Sequence, residues 1–479
     1  DGYEYNFLSS DWVVGKVQLS EALSYKITIV DKKNSVQLFK YIRNESENTI
    51  KITLKVTGIE INGCKFRVYD NASMSHAQDY KKDGIYQINY TATEGSDRIY
   101  FYVYGGNMGQ LDNPITIEQL PIYHGFILGD GVDDFAVTEK ELNFEDTYTV
   151  YTAFIPFQND PARNMILCGK NDTKDFSINY SGTHLNFKPS TGVNLAVRID
   201  QFALLVCKRN KDITTIINLS TGESRSLKSV EFISNPGLYY LWRNVFATFH
   251  AKAAIAGQTI CNGYFSTDED DEKVLDWYKK QYPWLFFDQA WTVTGKSNED
   301  TDRATIKNIT GNGNNLVLSN FGFAEGSGYN EQGEYAGYLV TDGVDDSGRA
   351  AGLTISKDFT LVGEWILFSK TQVNAGLSIH PQIHIFNRPE AIQITFRTAG
   401  KTLPVKSLKV ICSDGRCYDE NWNEFKINVG EFISSNGVLY VASNGTYHAF
   451  KNLGIYNDQI FSKDDCIKAY NYLQTLKAK

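Results

Sequence analysis

The sequence predicts an all-β protein built of tandem two-sheet β-sandwich domains, with helices only at the domain ends. Three observations predict it. Aromatic residues make up 13% of the 479, with 29 Tyr and 28 Phe against 3 Met, a balance that favours pleated, half-buried surfaces over helical bundles. Alternating apolar and polar runs recur between clusters of Gly, Asn and Asp. Finally, one signature occurs twice, as G-D-G-V-D-D at 129–134 and T-D-G-V-D-D at 341–346, with the same order of signals after each copy.

A chain of this length exceeds what one hydrophobic core usually organises, so several domains are expected. Residues 1–120 read as a strand-after-strand module. In I-K-I-T-L-K-V-T, Ile50, Ile52, Leu54 and Val56 alternate with Lys51, Thr53, Lys55 and Thr57, the period of a strand with one buried face. Further strands are read at K-F-R-V-Y from Lys65, G-I-Y-Q-I-N-Y from Gly84, R-I-Y-F-Y-V-Y from Arg98 and I-T-I-E from Ile115. Two repeats follow, 121–285 and 286–479. Each carries the D-G-V-D-D signature, then E-F-I-S (at Glu231 and Glu431), then a helix that begins with a Ser/Thr cap and clustered acids. Such a start satisfies free amides and complements the helix dipole. The helices are S-T-D-E-D-D-E-K-V-L-D-W-Y-K-K from Ser266 and S-K-D-D-C-I-K-A-Y-N-Y-L from Ser462.

The most informative stretch is 291–346. It reads as a strand from Trp291, a loop, the turn G-N-G-N-N at 311–315, a strand, a long loop, and a strand ending in D-G-V-D-D. The first repeat has no equivalent of the Trp291 strand or of this turn, so its first strand is missing or borrowed from the preceding module. The order of an aromatic first strand, a G-N-G-N turn and a strand ending in D-G-V-D-D resembles the opening of laminin-G-like, concanavalin-A-type jelly-roll domains. The wording of the stretch, including N-E-D-T-D-R-A-T-I-K at 298–307, resembles proteins of Bacteroidetes and their gut phages, crAss-like phages among them. The 1–120 module resembles jelly-roll carbohydrate-binding modules, without a diagnostic motif.

The resemblance implies tandem jelly rolls and a non-catalytic virion protein, whether fibre, appendage or capsid decoration, exposed on the particle and adhering to host or mucosal glycans. It also implies other virion proteins as partners and a homo-oligomer, a trimer being one arrangement. A secreted or cell-surface bacterial glycan-binding protein, or the accessory part of a polysaccharide-degrading enzyme, is the alternative.

Candidate sites follow from residue chemistry. Asp130, Asp133 and Asp134, with their counterparts Asp342, Asp345 and Asp346, offer the hard oxygen ligands of calcium on a turn; the other reading is that Asp-Gly forms the turn and the later acids cap it. Structural calcium is therefore the one cofactor expectation. Sugar rings stack on flat aromatic faces, and Trp12, Tyr240, Trp242 and Trp422 are the glycan candidates, with a core position as the other reading of each.

Other classes are disfavoured. A net charge of −9 with dispersed Lys and Arg gives no footprint for nucleic acid. No apolar run approaches the roughly 18 to 20 residues of a membrane helix, so membrane insertion is not expected. Paired acids in an E-x-D-x-x-E strand, a G-x-S-x-G elbow and a Walker loop are all missing, and the acidic run at 268–272 is accounted for by solvation at a helix start. His380 and His384 are read as lying on one extended segment, too far apart to share a metal. The seven Cys show no disulfide framework and are expected as thiols. A hairpin disulfide between Cys412 and Cys417 across an Asp414-Gly415 turn is the alternative.

Overall fold

The computed structural model describes residues 12–14, 19–23, 26–29, 35–41, 49–74, 76–106, 111, 113–120, 123, 125–130, 136–157, 165–170, 176–181, 184–188, 194–198, 200–229, 237–241, 251–311, 314–333, 335–367, 375–380, 383–388, 391–396, 399–405, 407–429, 435–441 and 447–478. The protein is all-β, with antiparallel sheets throughout the described residues and a helix at the end of each repeat. It divides into two compact units, 1–124 and 125–479.

The first unit is a sandwich of two five-stranded sheets. The expected strands are present as Thr49–Thr57, Lys65–Asp70, Gly84–Thr91, Arg98–Tyr104 and Ile115–Gln119. Alternation places Ile50, Ile52, Leu54 and Val56 of one sheet against Phe66, Val68, Phe101 and Val103 of the other, all inside one core. Lys55 is left outside.

The second unit contains two sandwiches with one topology, each with its own core. In the first repeat one sheet runs Ile127–Asp130, Lys252–Asn262, Tyr148–Pro156, Ala203–Arg209, Ile213–Asn218, Glu223–Lys228. The matching sheet of the second repeat runs Leu339–Val340, His448–Asn457, Phe359–Leu367, Ser407–Cys412, Arg416–Asp419, Glu424–Lys426. The opposing sheets match strand for strand as well, from Ala136–Val137 onward in the first repeat and from Ser347–Ile355 onward in the second. The second repeat adds four strands, Gln289–Thr292, Thr305–Ile306, Leu316–Ser319 and Gly328–Tyr329. These are the Trp291 strand, the hairpin around G-N-G-N-N and the loop strand before D-G-V-D-D, and the described residues of the first repeat hold no counterpart. The E-F-I-S segments lie outside the described residues.

Trp291 is fully buried, and its indole Nε1 donates to the Asn314 carbonyl at 2.9 Å. Around it, the Asn315 side chain accepts the Asn308 amide at 3.1 Å, and the Asn314 amide group donates to the Gly352 carbonyl at 3.0 Å. Asn314 and Asn315, at the end of the G-N-G-N-N turn, thus fasten it both to the core and to the strand Ser347–Ile355.

Helix α1, Asp268–Gln281, starts with a capping box between Thr267 and Asp270. Helix α2, Lys463–Thr475, starts with Ser462 accepting the Asp465 amide. The acidic run at the start of α1 is only partly solvated, which corrects the reading of it as a surface feature. Asp271 is 3% exposed and accepts from Lys208 Nζ at 2.8 Å, the Tyr151 hydroxyl at 2.8 Å and the Ser266 hydroxyl at 2.7 Å. A carboxylate can be buried only with partners of this kind.

Two other expectations are corrected. His380 and His384 lie on neighbouring antiparallel strands, Ala375–His380 and Ile383–Arg388, so the chain reverses between them instead of running extended. All seven cysteines are thiols, and the hairpin register opposes Ile411, not Cys412, to Cys417. Because neighbouring residues of a strand point to opposite faces, Cys412 and Cys417 face away from each other.

Asp271→Asn is expected to lower stability by about 3 kcal/mol, because it leaves the buried Lys208 ammonium with only the fully exposed Asp268 carboxylate, 3.7 Å away, as counter-charge. Urea unfolding of the variant against the parent measures it.

Candidate functional site

Two regions bring together chemistry suited to binding. The first is the D-G-V-D-D loop of the second repeat, which joins Leu339–Val340 to Ser347–Ile355. Its entry is clamped to the strand His448–Asn457: the Thr341 amide donates to the His448 carbonyl at 3.1 Å, and the His448 amide donates to the Thr341 hydroxyl at 3.0 Å. Gly343 has a φ of +74°, and a Cβ there would sit 2.3 Å from the Tyr447 ring. Glycine is therefore required twice, by conformation and by space.

The Asp342 side chain accepts the Val344 amide at 2.8 Å, and Asp346 accepts the Asp342 amide at 2.9 Å and the Ser327 hydroxyl at 2.9 Å. This is the turn-forming arrangement. It nevertheless gathers the carboxylates: one oxygen from each of Asp342, Asp345 and Asp346 lies within 4.8 Å of the others. Oxygens held about 2.4 Å from a shared calcium are at most about 4.8 Å apart, so the spacing fits three ligands of the six to eight that the ion takes. Among the described residues no Lys or Arg forms an ion pair with the three. Burial pushes the Asp346 carboxyl above the usual range, and the neighbouring Asp342 and Asp345 charges push the same way against its hydrogen bonds. Asp345 and Val344 are both exposed, Val344 at 67%. In the first repeat Asp130 ends the strand Ile127–Asp130 opposite Lys252, whereas its side chain, Asp133 and Asp134 lie outside the described residues.

The second region is the outer face of the first unit. In R-I-Y-F-Y-V-Y the core takes Ile99, Phe101 and Val103, which leaves Tyr100, Tyr102 and Tyr104 in a row on the other side, each half-buried. The rings order one another. Tyr102 and Tyr104 stack at 5.0 Å and 11°, and Tyr100 stacks on Tyr69 of the adjacent strand at 4.9 Å and 13°. At the end of the row Arg67 covers the Tyr104 ring at 4.8 Å and grips Asp79 through two hydrogen bonds of 2.5 and 2.7 Å. The Tyr104 hydroxyl donates to the same carboxylate at 3.1 Å. Hydrogen bonding from Arg67 holds the Asp79 carboxyl below its usual range. The face thus presents rigid amphipathic rings, a guanidinium and a carboxylate side by side.

The glycan candidates picked from the sequence fare differently. Trp422, at 1% exposure, sits edge-on to Tyr470 of α2 at 5.6 Å beneath the Lys409 ammonium at 5.2 Å, and Tyr240 is 7% exposed. Neither leaves a ring face exposed to a sugar: Trp422 lies under α2, and Tyr240 is buried on the strand Tyr239–Leu241. Trp12 pairs with Lys40 through its backbone, but its side chain lies outside the described residues, as does Trp242. The signal for the Tyr row was present in the sequence as three Tyr at alternate positions of a strand whose other positions are aliphatic or Phe.

A cleft of 340 Å³ also opens within the second unit where the two repeats meet. Gln201 and Lys279 of the first repeat face Phe286, Asp288 and Gln459 across it.

No family model matches the sequence, and no curated protein matches it. Among solved structures, the chain is similar to the binding domain of Paraclostridial Mosquitocidal Protein 1, at 10% identity over 70% of this chain and 92% of that one, TM-score 0.30. It is similar to domains LG4-5 of the mouse laminin alpha1 chain at 12% identity over 72% and 93%, TM-score 0.24. It is also similar to Trypanosoma rangeli sialidase in complex with sialic acid at 10% identity over 99% and 85%, TM-score 0.28. Likeness at this level carries no argument about what this chain binds or does, and its class, a tandem β-sandwich protein, is read from its own strands.

Gly343→Ala is expected to cost about 1–3 kcal/mol through a strained φ and a clash with Tyr447, measured as a fall in the urea midpoint.

A second expectation concerns pH. His448 is fully buried, with both ring nitrogens lacking a hydrogen-bond partner, and burial pulls its pKa down to about 4. Since the unfolded chain protonates it near 6.5, its contribution is fully present above that pH and is lost progressively as pH falls toward 4. Unfolding free energy should drop by about 3 kcal/mol across this window, and His448→Gln should flatten the slope.

Proposed function

We propose that the chain is a non-catalytic glycan-binding protein, displayed on the surface of a phage particle as a fibre, appendage or capsid-decoration component. The observation that carries the binding reading is the outward row of Tyr100, Tyr102 and Tyr104 with Arg67 and Asp79 at its end. Aromatic residues at successive outward positions of a strand are not needed by the core of that sandwich. Held by mutual stacking, they present large amphipathic surface at little further cost in side-chain entropy. Sugars carry apolar C–H faces and many hydroxyls, and this surface offers a partner for both. Support for the virion setting comes from the resemblance of 291–346 to proteins of Bacteroidetes and their gut phages.

Calcium has a defined place in this reading. Asp342, Asp345 and Asp346 would hold it, and the ion would offset the burial and the neighbouring charges that keep the Asp346 carboxyl raised. Bound there, it would set the loop that carries Val344 against Tyr447, making a second contact surface. The proposed partners are host or mucosal glycans and other virion proteins, in a homo-oligomer.

The test is binding of the full chain to an array of bacterial and mucin glycans, with calcium and with chelator. The expected result is specific binding that falls at least tenfold in a Tyr102→Ala, Tyr104→Ala double variant of unchanged melting temperature. Loss on chelation and in Asp345→Asn would assign the binding to the loop instead, and loss in Lys279→Glu alone would assign it to the cleft. No binding by the folded parent would overturn the glycan reading. Labelling of purified phage particles with an antibody to the chain tests the setting, which unlabelled particles would contradict.

A further inference from the structure

The two repeats fasten their terminal helices to the sheet at the same place by different chemistry. In the first, Lys208 on the strand and Asp271 in the first turn of α1 form the buried ion pair described above. The equivalent positions in the second are Cys412 and Cys466. Backbone register establishes the equivalence: Thr149 lies opposite Lys208, and Thr360 lies opposite Cys412. Each of these threonine hydroxyls accepts the amide of the residue just before the helix cap, Ser266 at 2.9 Å and Phe461 at 3.1 Å. Asp271 and Cys466 in turn each donate their amide to the cap carbonyl, Thr267 at 3.1 Å and Ser462 at 2.9 Å.

Cys412 and Cys466 are both fully buried, at the two positions that in the first repeat bring Lys208 Nζ and the Asp271 carboxylate to 2.8 Å. Cys412 points toward the helix, for it is Ile411 and Cys417 that fill the core between the sheets. We propose that Cys412 and Cys466 are a covalent cross-linking site, where a disulfide joins α2 to the sheet at the position that the first repeat closes with an ion pair.

The Arg416 guanidinium reaches the start of α2, donating to the Phe461 carbonyl at 2.9 Å, and a cation beside the pair favours a thiolate. The exchange balances in the same way whichever sulfur attacks first; taken from Cys412, the thiolate is the nucleophile. It displaces one glutathione thiolate from oxidised glutathione, leaving a mixed disulfide. Cys466 then loses its proton and attacks the Cys412 sulfur, releasing the second glutathione. The protein gives up two electrons and two protons, which leave as two glutathione thiols. Because both sulfurs are buried, the reagent reaches them as α2 lifts from the sheet or during folding.

This inference does not depend on the glycan reading. Its test is incubation of the reduced full chain with oxidised glutathione, natively and during refolding, followed by alkylation in denaturant and peptide mapping. The expected product links the Cys412 and Cys466 peptides and raises the melting temperature by roughly 5–10 °C, reversibly with dithiothreitol. Cys466→Ser should give neither cross-link nor shift, and Cys417→Ser should give both, which keeps the test valid should either variant fold poorly. Recovery of folded chain with Cys412 and Cys466 both alkylated after treatment would overturn the proposal, as would a link from Cys412 to Cys417 or persistent glutathione on Cys412.

Discussion

The strand His448–Asn457 is the constraint on which the second repeat depends. One of its edges is taken along its whole length by Phe359–Leu367. The other edge is divided between Gln289–Thr292, opposite residues 452–455, and Leu339–Val340, opposite residues 449–450. Three segments distant in sequence are thereby set by one hydrogen-bonding ladder. The D-G-V-D-D loop leaves that ladder at Thr341, and the strand supplies its clamp, His448, while the residue just before the strand, Tyr447, lies beneath Gly343. A shift of register in this strand would turn every side chain to the opposite face, separating the loop from the ring beneath it. The geometry of the carboxylates is thus inherited from sheet pairing.

The first repeat shows how much of this plan is general. Its long strand Lys252–Asn262 carries Ile127–Asp130 on one edge and Tyr148–Pro156 on the other, the same arrangement with the first strand left out. Where the repeats differ, they differ in what fastens the elements. Trp291 and the asparagines around it tie down the added hairpin of the second repeat, and Lys208 with Asp271 holds the helix of the first. An ion pair and a pair of thiols occupy one structural position because that position requires a contact between a sheet and a helix first turn. The fold leaves the chemistry of the contact open.

The binding surfaces follow from a different economy. A sandwich core needs large apolar side chains on inward positions, and Trp291 and Trp365 are spent there, while Trp422 is buried under α2. What is left for recognition is residues whose outward position the core does not demand. Tyr100, Tyr102 and Tyr104 are of that kind, and so is the exposed carboxylate of Asp345. The first offers amphipathic area already ordered by stacking; the second completes a negative cluster with which no Lys or Arg among the described residues forms an ion pair.

Much of the fold was determined by local sequence. Period-two alternation in 50–57 and 98–104 dictates which residues face the core, since successive strand side chains point to opposite faces. The caps of α1 and α2, the G-N-G-N-N turn and the repeated D-G-V-D-D are equally local, because each rests on the conformational preferences of a few adjacent residues. The gathering of Asp342, Asp345 and Asp346 follows from their closeness in the chain. Tertiary structure decided what depends on partners far away in sequence. A turn residue is assigned to neither face by alternation, so Trp422, in the turn between Arg416–Asp419 and Glu424–Lys426, was open to both readings until α2 was seen to lie over it. The same limit applies to Asp271, which reads as a solvated helix acid until Lys208, 63 residues away, reaches it. It applies again to Cys412, whose neighbour across the hairpin is close in sequence and whose neighbour in space is Cys466.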